Sequence, residues 1–180
     1  MLLNGLPDSC SGCPLSTNPH CGYFTKVEGK GHSGVMIIGE ASGELEGKKG
    51  LPFRPEAPAG SILEKAIKLG GGKRDDYWIT NIIRCRPPNN ILAGAPYESE
   101  AISHCSQYLH RVISELKPRA ILSLGSSKGP SCSWRKTSLG RLAGIAANRS
   151  PTFFGKGDFT RPGTKRGAAE QISRIFAENR

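Results

Sequence analysis

Four cysteines are spaced so that their thiols could bind a metal ion or an iron–sulfur cluster. Cys10 and Cys13 form a C-x-x-C pair, and Cys85 and Cys105 lie far along the chain. Two adjacent and two distant thiolates can together surround such a centre. Binding would then hold the beginning of the chain against its middle.

Two other chemistries remain open for the cysteines. Six cysteines could form three disulfides in a secreted protein, but 180 residues with an α/β pattern provide a core that does not need them. Zinc is the main alternative to a cluster. The other two cysteines, Cys21 and Cys132, are predicted to be plain thiols.

Two more segments carry residues suited to a flat, polar ring. Gly39-Glu40-Ala41-Ser42-Gly43 follows an apolar run, and its glycines allow a tight turn with open backbone N–H groups. Its spacing fits neither a P-loop nor a dinucleotide fingerprint. Downstream, Phe53 follows a proline and could stack on a ring. A core aromatic is the alternative interpretation of Phe53.

Asn81 ends the second apolar run of the chain. Its amide offers one acceptor and two donors, which suits the edge of a nucleobase, although an Asn at this position can also cap a turn. Arg84 and Arg86 flank Cys85, where they could neutralise a thiolate or contact a phosphate.

The elements that must position these residues alternate between strands and helices. Apolar runs predict strands over 35–38, 78–83 and 120–124. Helical spacing predicts helices from Ser61 to the glycines at 70–72 and from about Glu98 to Glu115. This order predicts a three-layer α/β/α fold with a small parallel sheet. Ligands of such sheets bind at the carboxyl ends of the strands, where Gly39 and Asn81 lie.

Composition indicates a partner and excludes some functions. No run of about 18 apolar residues is present, and the first residues lack the features of a signal peptide, so we expect a cytosolic protein with no membrane partner. No HExxH motif is present, which disfavours a hydrolase of that kind. The net charge of +10 favours a polyanion such as nucleic acid.

The charge is concentrated in the last third of the chain. Residues 1–125 hold 14 Lys/Arg and 12 Asp/Glu, a net of +2, whereas residues 126–180 hold 11 and 3, a net of +8. We therefore predict a core over 1–125 and a basic, irregular tail over 126–180. Much of 126–167 is expected to be disordered, with no good fourth strand and a short helix over about 168–179.

The motifs together resemble the iron–sulfur branch, often called family 4, of the uracil-DNA glycosylase superfamily. The similar segments are CSGCPL from Cys10, GEASGELEGKKGLPF from Gly39 to Phe53, WITNIIRCRPP from Trp78 and ILSLG ending at Gly125. Four signatures in the family's order cover about residues 7–125.

The resemblance implies a function and a set of site residues. Uracil in DNA would be the substrate, and the reaction would hydrolyse the N-glycosidic bond of the flipped-out base during base-excision repair. Glu40 and Asn81 would be catalytic, Phe53 would stack on uracil, and the backbone at Gly39, Ala41 and Gly43 would complete the pocket. The ligands of a 4Fe–4S cluster would be Cys10, Cys13, Cys85 and Cys105. We expect a monomer.

Two departures from the family's pattern bear on activity. Ser42 replaces the proline of the first motif, a change expected to loosen the loop. The third motif, a His-Pro segment that would donate to the uracil carbonyl, is absent, since no histidine follows His110. We hypothesise that the last third of the chain is not homologous to the family, through a shifted reading frame or a degenerate prophage copy. The alternative function is a catalytically inactive iron–sulfur or zinc DNA-binding remnant.

Overall fold

A computed structural model describes residues 10–16 and 24–124, together with the backbone of 152–154. Four parallel strands form one sheet in the order β2-β1-β3-β4. Their bounds are β1 Val35–Ala41, β2 Tyr77–Ile83, β3 Ala120–Ser123 and β4 Thr152–Phe154. The helices are α1 Glu44–Lys49, α2 Pro58–Leu69 and α3 Glu98–Leu116.

Alternate residues of the strands pack against helices on opposite faces of the sheet. Val35 and Ile37 belong to the core that includes α2, whereas Met36 and Ile38 belong to the core that includes α3. Successive side chains of a strand point to opposite faces, so a strand buried on both sides must be apolar throughout. The predicted three-layer α/β/α arrangement is therefore confirmed.

The expectation of no fourth strand is wrong. β4 pairs in parallel with β3 along its whole length, with Ala120 opposite Thr152 and Leu122 opposite Phe154. Three residues are too short to give a periodic signal in the sequence, and only pairing with β3 makes them a strand. The predicted helix at 168–179, the predicted disorder, Cys21 and Cys132 lie outside the described residues.

The loop between β1 and α2 is more ordered than the sequence analysis expected. α1 occupies six of its residues, and α2 begins at Pro58, three residues before the predicted start, with proline at its first position. Gly60 in α2 lets the loop pass close by, because a Cβ there would lie 1.9 Å from the Arg54 carbonyl oxygen. The close approach places the residues around Phe53 against the first turn of α2.

Candidate functional site

Three of the predicted site residues meet at the carboxyl ends of β1 and β2. Gly39 and Asn81 are partners in the parallel register. A Cβ on Gly39 would lie 2.2 Å from Asn81 Oδ1 and 2.4 Å from Phe53 Cζ. The side chains of Asn81 and Phe53 thus converge over Gly39, and any larger residue there would collide with both. Gly39, Phe53 and Asn81 are called the pocket residues below.

Both side chains of this group are buried. Asn81 is 2% exposed and Phe53 is 7% exposed, and the Phe53 ring is part of the core between the sheet and α2. The ring therefore packs in the core, and it also lies at the carboxyl ends of the strands, where it borders the pocket. Its role as a stacking surface stays a prediction.

A buried glutamate holds both ends of the loop that carries Phe53. The Glu46 carboxylate in α1 accepts the backbone N–H of Gly43 through Oε2 and that of Phe53 through Oε1. Phe53 itself has a φ of +47°, an uncommon conformation for a non-glycine residue. Hydrogen bonds from two backbone donors to one carboxylate stabilise this conformation.

Two arginines and a second glutamate brace the same loop one residue earlier. The Pro52 carbonyl accepts hydrogen bonds from Nη2 of Arg54 at 3.0 Å and of Arg74 at 3.2 Å. Glu28 forms ion pairs with both arginines. Burial alone would raise the pKa of Glu28, but hydrogen bonds from Arg74 and Arg54 lower it below its ordinary value. Glu28 is therefore the anion on which this brace depends.

Ser42 connects Asn81 to the loop. Its hydroxyl accepts from Asn81 Nδ2 at 3.3 Å, donates to the Arg84 carbonyl at 3.0 Å and lies 2.9 Å from the Thr25 hydroxyl. Ser42 is 1% exposed, so these bonds form away from water. They hold the Asn81 amide with Oδ1 on the side of Gly39. A proline could not form these bonds, and the effect of the serine on the rigidity of the loop stays a prediction.

The remaining predicted pocket positions lie beside this group. Glu40 and Ala41 are the last two residues of β1, and both are half-buried. Gly43 precedes α1 and donates its N–H to Glu46. The catalytic role of Glu40 and the binding roles of Ala41 and Gly43 stay predictions.

The four cysteines lie in one region next to the last residues of β1 and β2. Cys13 and Cys85 share an apolar cluster with Leu15, Ile83 and Ala101, and Cys105 packs against it. None of the four is in a disulfide. Burial and the negative charges of Cys85 and Cys13 raise the pKa of Cys10 to about 11.

The same mutual repulsion acts on Cys105. Burial raises its pKa to about 12, the backbone N–H of Arg84 opposes this, and the charges of Cys85, Cys13 and Cys10 add to it. Cys10 and Cys105 therefore lie close enough to the other cysteines for their charges to interact. Among the described residues, however, no three His, Cys, Asp or Glu side chains are grouped so that they could hold a single metal ion.

The two arginines that flank Cys85 have different environments. Arg84 is 4% exposed, and its guanidinium lies 3.9 Å from the centroid of the Tyr108 ring and 4.5 Å from that of Phe24. Burial lowers its pKa, and attraction to Tyr108, Cys105 and Cys85 offsets only part of this effect.

Arg86 instead faces the surface. It donates to Asn90 Oδ1 at 2.8 Å and pairs with Glu44 Oε2 at 3.2 Å, with 22% of its side chain exposed. A phosphate contact is therefore open to Arg86 and closed to Arg84.

The sequence analysis missed the residues that hold the pocket in place. Glu46 lies three residues after Gly43, in the first turn of α1, which is the spacing of a capping box and is visible in the sequence. Thr25, Glu28 and Arg74 had no such signal, because they reach the loop only through the tertiary fold.

Comparison with known proteins identifies the family. Residues 27–148 match the family model of the Uracil DNA glycosylase superfamily, and the chain belongs to that superfamily. The match extends past Gly125, where the sequence analysis ended the resemblance.

Curated relatives agree with this assignment. The chain is 40% identical over 125 residues to a Type-4 uracil-DNA glycosylase of Pyrobaculum aerophilum, covering 68% of this chain and 59% of that protein. It is 40% identical over 121 residues to the Type-4 enzyme of Sulfurisphaera tokodaii, with 65% and 50% covered. For the Type-4 enzyme of Thermotoga maritima the identity is 34%, with 66% and 57% covered. The chain thus spans between half and three fifths of the length of these relatives.

No helix among the described residues is long and apolar enough to cross a membrane.

Proposed function

We propose that the protein acts on uracil in DNA, hydrolysing the N-glycosidic bond of the flipped-out base as in base-excision repair. The observation that carries this proposal is the convergence of Asn81 and Phe53 over Gly39 at the carboxyl ends of β1 and β2. Membership in the superfamily and the names of the Type-4 relatives support it.

The pocket residues suit the chemistry of base removal. An enzyme that acts on a base must take it out of the helical stack and bind it in a shaped pocket. Phe53 offers an aromatic face for stacking. Asn81 offers an amide whose Oδ1 can accept the N3–H of uracil and whose second Nδ2 proton can donate to O4. Cytosine has the opposite pattern of donor and acceptor on that edge.

Two charges develop as the glycosidic bond breaks. Negative charge on the uracil oxygens is stabilised by fixed donors, each contributing on the order of 3 kcal/mol, and Asn81 is such a donor. Positive character on the sugar is stabilised by a carboxylate, the role we assign to Glu40. Glu40 follows Gly39 directly, so both would act at the same strand end.

The cofactor we propose is a 4Fe–4S cluster held by Cys10, Cys13, Cys85 and Cys105. Four thiols without a disulfide in one partly buried region are a suitable donor set. The resemblance to the iron–sulfur branch favours a cluster over a zinc ion, and the names of the Type-4 relatives support that branch. The cluster would serve mainly to hold the chain together.

The cofactor is tested on protein purified without oxygen. Iron, sulfide and zinc content together with the visible spectrum identify the bound group, and we expect iron and broad visible absorbance. A colourless protein with one zinc per chain would support the zinc alternative, and a folded protein with neither metal would refute both.

The second candidate function is an inactive DNA-binding remnant with impaired or lost catalysis. It is favoured by the absence of any histidine after His110, which leaves no counterpart of the family's third motif in these 180 residues. The basic composition of 126–180 would then supply the affinity for DNA.

Release of free uracil separates the two functions. Single- and double-stranded oligonucleotides with one uracil are incubated with the protein, and free base and strand scission at the abasic site are measured. Uracil release that disappears in Asn81→Ala supports the enzyme. DNA binding without any release, at high protein concentration and long times, supports the remnant.

A further inference from the structure

Arg84 carries a buried charge for which the described residues provide no anionic partner. It is 4% exposed, and its Nε donates to the Thr25 carbonyl. Nη1 and Nη2 are both buried and form no hydrogen bond within the usual distance and angle limits to residues 10–16 and 24–124; the Tyr108 hydroxyl attracts the guanidinium but is itself without a hydrogen-bond partner there. The ion pairs formed within that part of the chain all involve other cations. Such groups are rare, because burying an unpaired charge is costly.

Two aromatic rings hold the guanidinium without compensating its charge. Its carbon lies 3.9 Å from the centroid of Tyr108 and 4.5 Å from that of Phe24. Cation–π contacts of this kind fix the plane of the guanidinium, but they are weaker than the hydration that a buried arginine loses. They also leave its N–H groups free to donate to a further acceptor.

Arg84 adjoins the cysteine region. It precedes Cys85 in the chain, and the Phe24 ring that it contacts packs against the cluster that contains Cys13 and Cys85. Cys105 packs against the same cluster. The proposed ligands are thus groups next to Arg84 that become anionic when a metal centre binds.

We propose that Arg84 is the internal counter-charge of the bound cluster, with Nη1 and Nη2 donating hydrogen bonds to its sulfur atoms. Four thiolates outweigh the positive charge of a 4Fe–4S core, so the bound group is a net anion. A cation and hydrogen bonds at the sulfurs stabilise that anion and raise its reduction potential. Arg84 would thus both retain the cluster and set its potential. This inference rests on the proposed cofactor.

The test compares Arg84→Met and Arg84→Lys with the wild type and with Arg86→Met. Arg86 is the matched control, since it flanks Cys85 on the other side but is partly exposed and paired with Glu44. Three quantities are measured on protein purified without oxygen: iron per chain, the rate at which visible absorbance disappears in an iron chelator, and the midpoint potential.

We expect Arg84→Met to lose its cluster about 10- to 100-fold faster than the wild type, the range found for other groups that support metal ligands. Its midpoint potential should fall, because one positive charge and two donors are removed. Arg84→Lys keeps the charge but not the planar pair of donors, so it should lose the cluster faster while its potential stays closer to that of the wild type. Arg86→Met should behave as the wild type in all three measurements.

Wild-type rates and potentials in Arg84→Met would overturn the inference, and so would equal changes in Arg86→Met. If Arg84→Met yields no folded protein, Arg84→Lys decides, and a wild-type rate of cluster loss in that variant contradicts the proposed hydrogen bonds. A wild-type protein without iron refutes the cofactor itself, a result that is visible before any variant is made.

Discussion

The pocket residues and the cysteine region lie in the same small fold but are completed in different ways. At the pocket, polar groups of the polypeptide satisfy one another: Glu46 accepts two backbone N–H groups, and Ser42 binds the Asn81 amide. In the cysteine region, burial raises the pKa of Cys10 and Cys105, the neighbouring cysteines add to this, and two nitrogens of Arg84 lack partners among the described residues.

We therefore expect the two regions to respond differently to a bound group. The polypeptide alone holds Asn81 and Phe53 in place, whereas the proposed cluster would take up the four thiolates and accept hydrogen bonds from Arg84. Variants at the pocket should therefore change base removal without changing iron content. Variants in the cysteine region should lower the iron content before they change base removal.

The largest expected effect is at Asn81. Asn81→Ala removes a fixed donor and acceptor from the base, and we expect kcat for uracil release to fall about 100- to 1000-fold. Phe53→Ala should also lower uracil release strongly by removing the stacking surface. Iron content and DNA affinity are measured in parallel and should stay at wild-type values. Equal losses of release, DNA affinity and thermal stability would show that both are only core residues.

The next largest effect is on stability, through the brace behind Phe53. Glu28→Gln leaves Arg54 without its anion and Arg74 with only Glu64 at 3.6 Å, and we expect the free energy of unfolding to fall by about 3 kcal/mol. Denaturant unfolding followed by circular dichroism measures it. Glu56→Gln is the matched control, because its pair with Lys49 is exposed and should contribute little.

The pH dependence of the same variant gives a second measurement. The folded pKa of Glu28 lies below its ordinary value of 4.5, so the carboxylate stabilises the fold above that pH and the contribution is lost as the pH falls through the folded pKa. Between pH 6 and about pH 3, the free energy of unfolding of the wild type should therefore fall by more than that of Glu28→Gln. Parallel stability curves for the two proteins would contradict this assignment.

A smaller effect is expected at Glu46. Glu46→Gln keeps the shape but replaces one carboxylate oxygen with an NH2 group, which opposes a backbone N–H of Gly43 or Phe53. The loss should be about 2 kcal/mol, the scale of a hydrogen bond to a charged group. We expect a lower kcat for uracil release with unchanged iron per chain. If the variant unfolds more easily but releases uracil normally, Glu46 stabilises the loop without positioning Phe53.

The smallest effect is expected at Ser42. Ser42→Ala removes the acceptor of Asn81 Nδ2, so the amide can rotate. The activation free energy of uracil release should rise by about 1 kcal/mol, which slows release roughly fivefold. The same variant should discriminate less between uracil and cytosine, because a rotated amide suits the cytosine edge. Thr25→Val, which leaves the bond between Ser42 and Asn81 in place, serves as the comparison and should retain the discrimination. Unchanged selectivity in Ser42→Ala would mean that other contacts orient the amide.

Much of the fold could be predicted because its signals are local. The strands β1 to β3 are apolar runs, and α2 and α3 have apolar positions at helical spacing, so burial on both sides of the sheet follows from the residues themselves. α1 was missed because six residues give less than two turns of pattern. β4 was missed because its three residues become a strand only beside β3.

By itself the sequence determined the α/β order, the four cysteines and the position of Gly39 and Asn81 at strand ends, since each depends on residue type and short-range spacing. Only the tertiary structure decided that Phe53 meets Asn81 over Gly39, that Glu28 and Glu46 brace the loop from elsewhere, and that Arg84 is buried while Arg86 is partly exposed. The physical reason is that burial and hydrogen-bond partners depend on segments far apart in the chain, and a local pattern contains no information about which of them will meet.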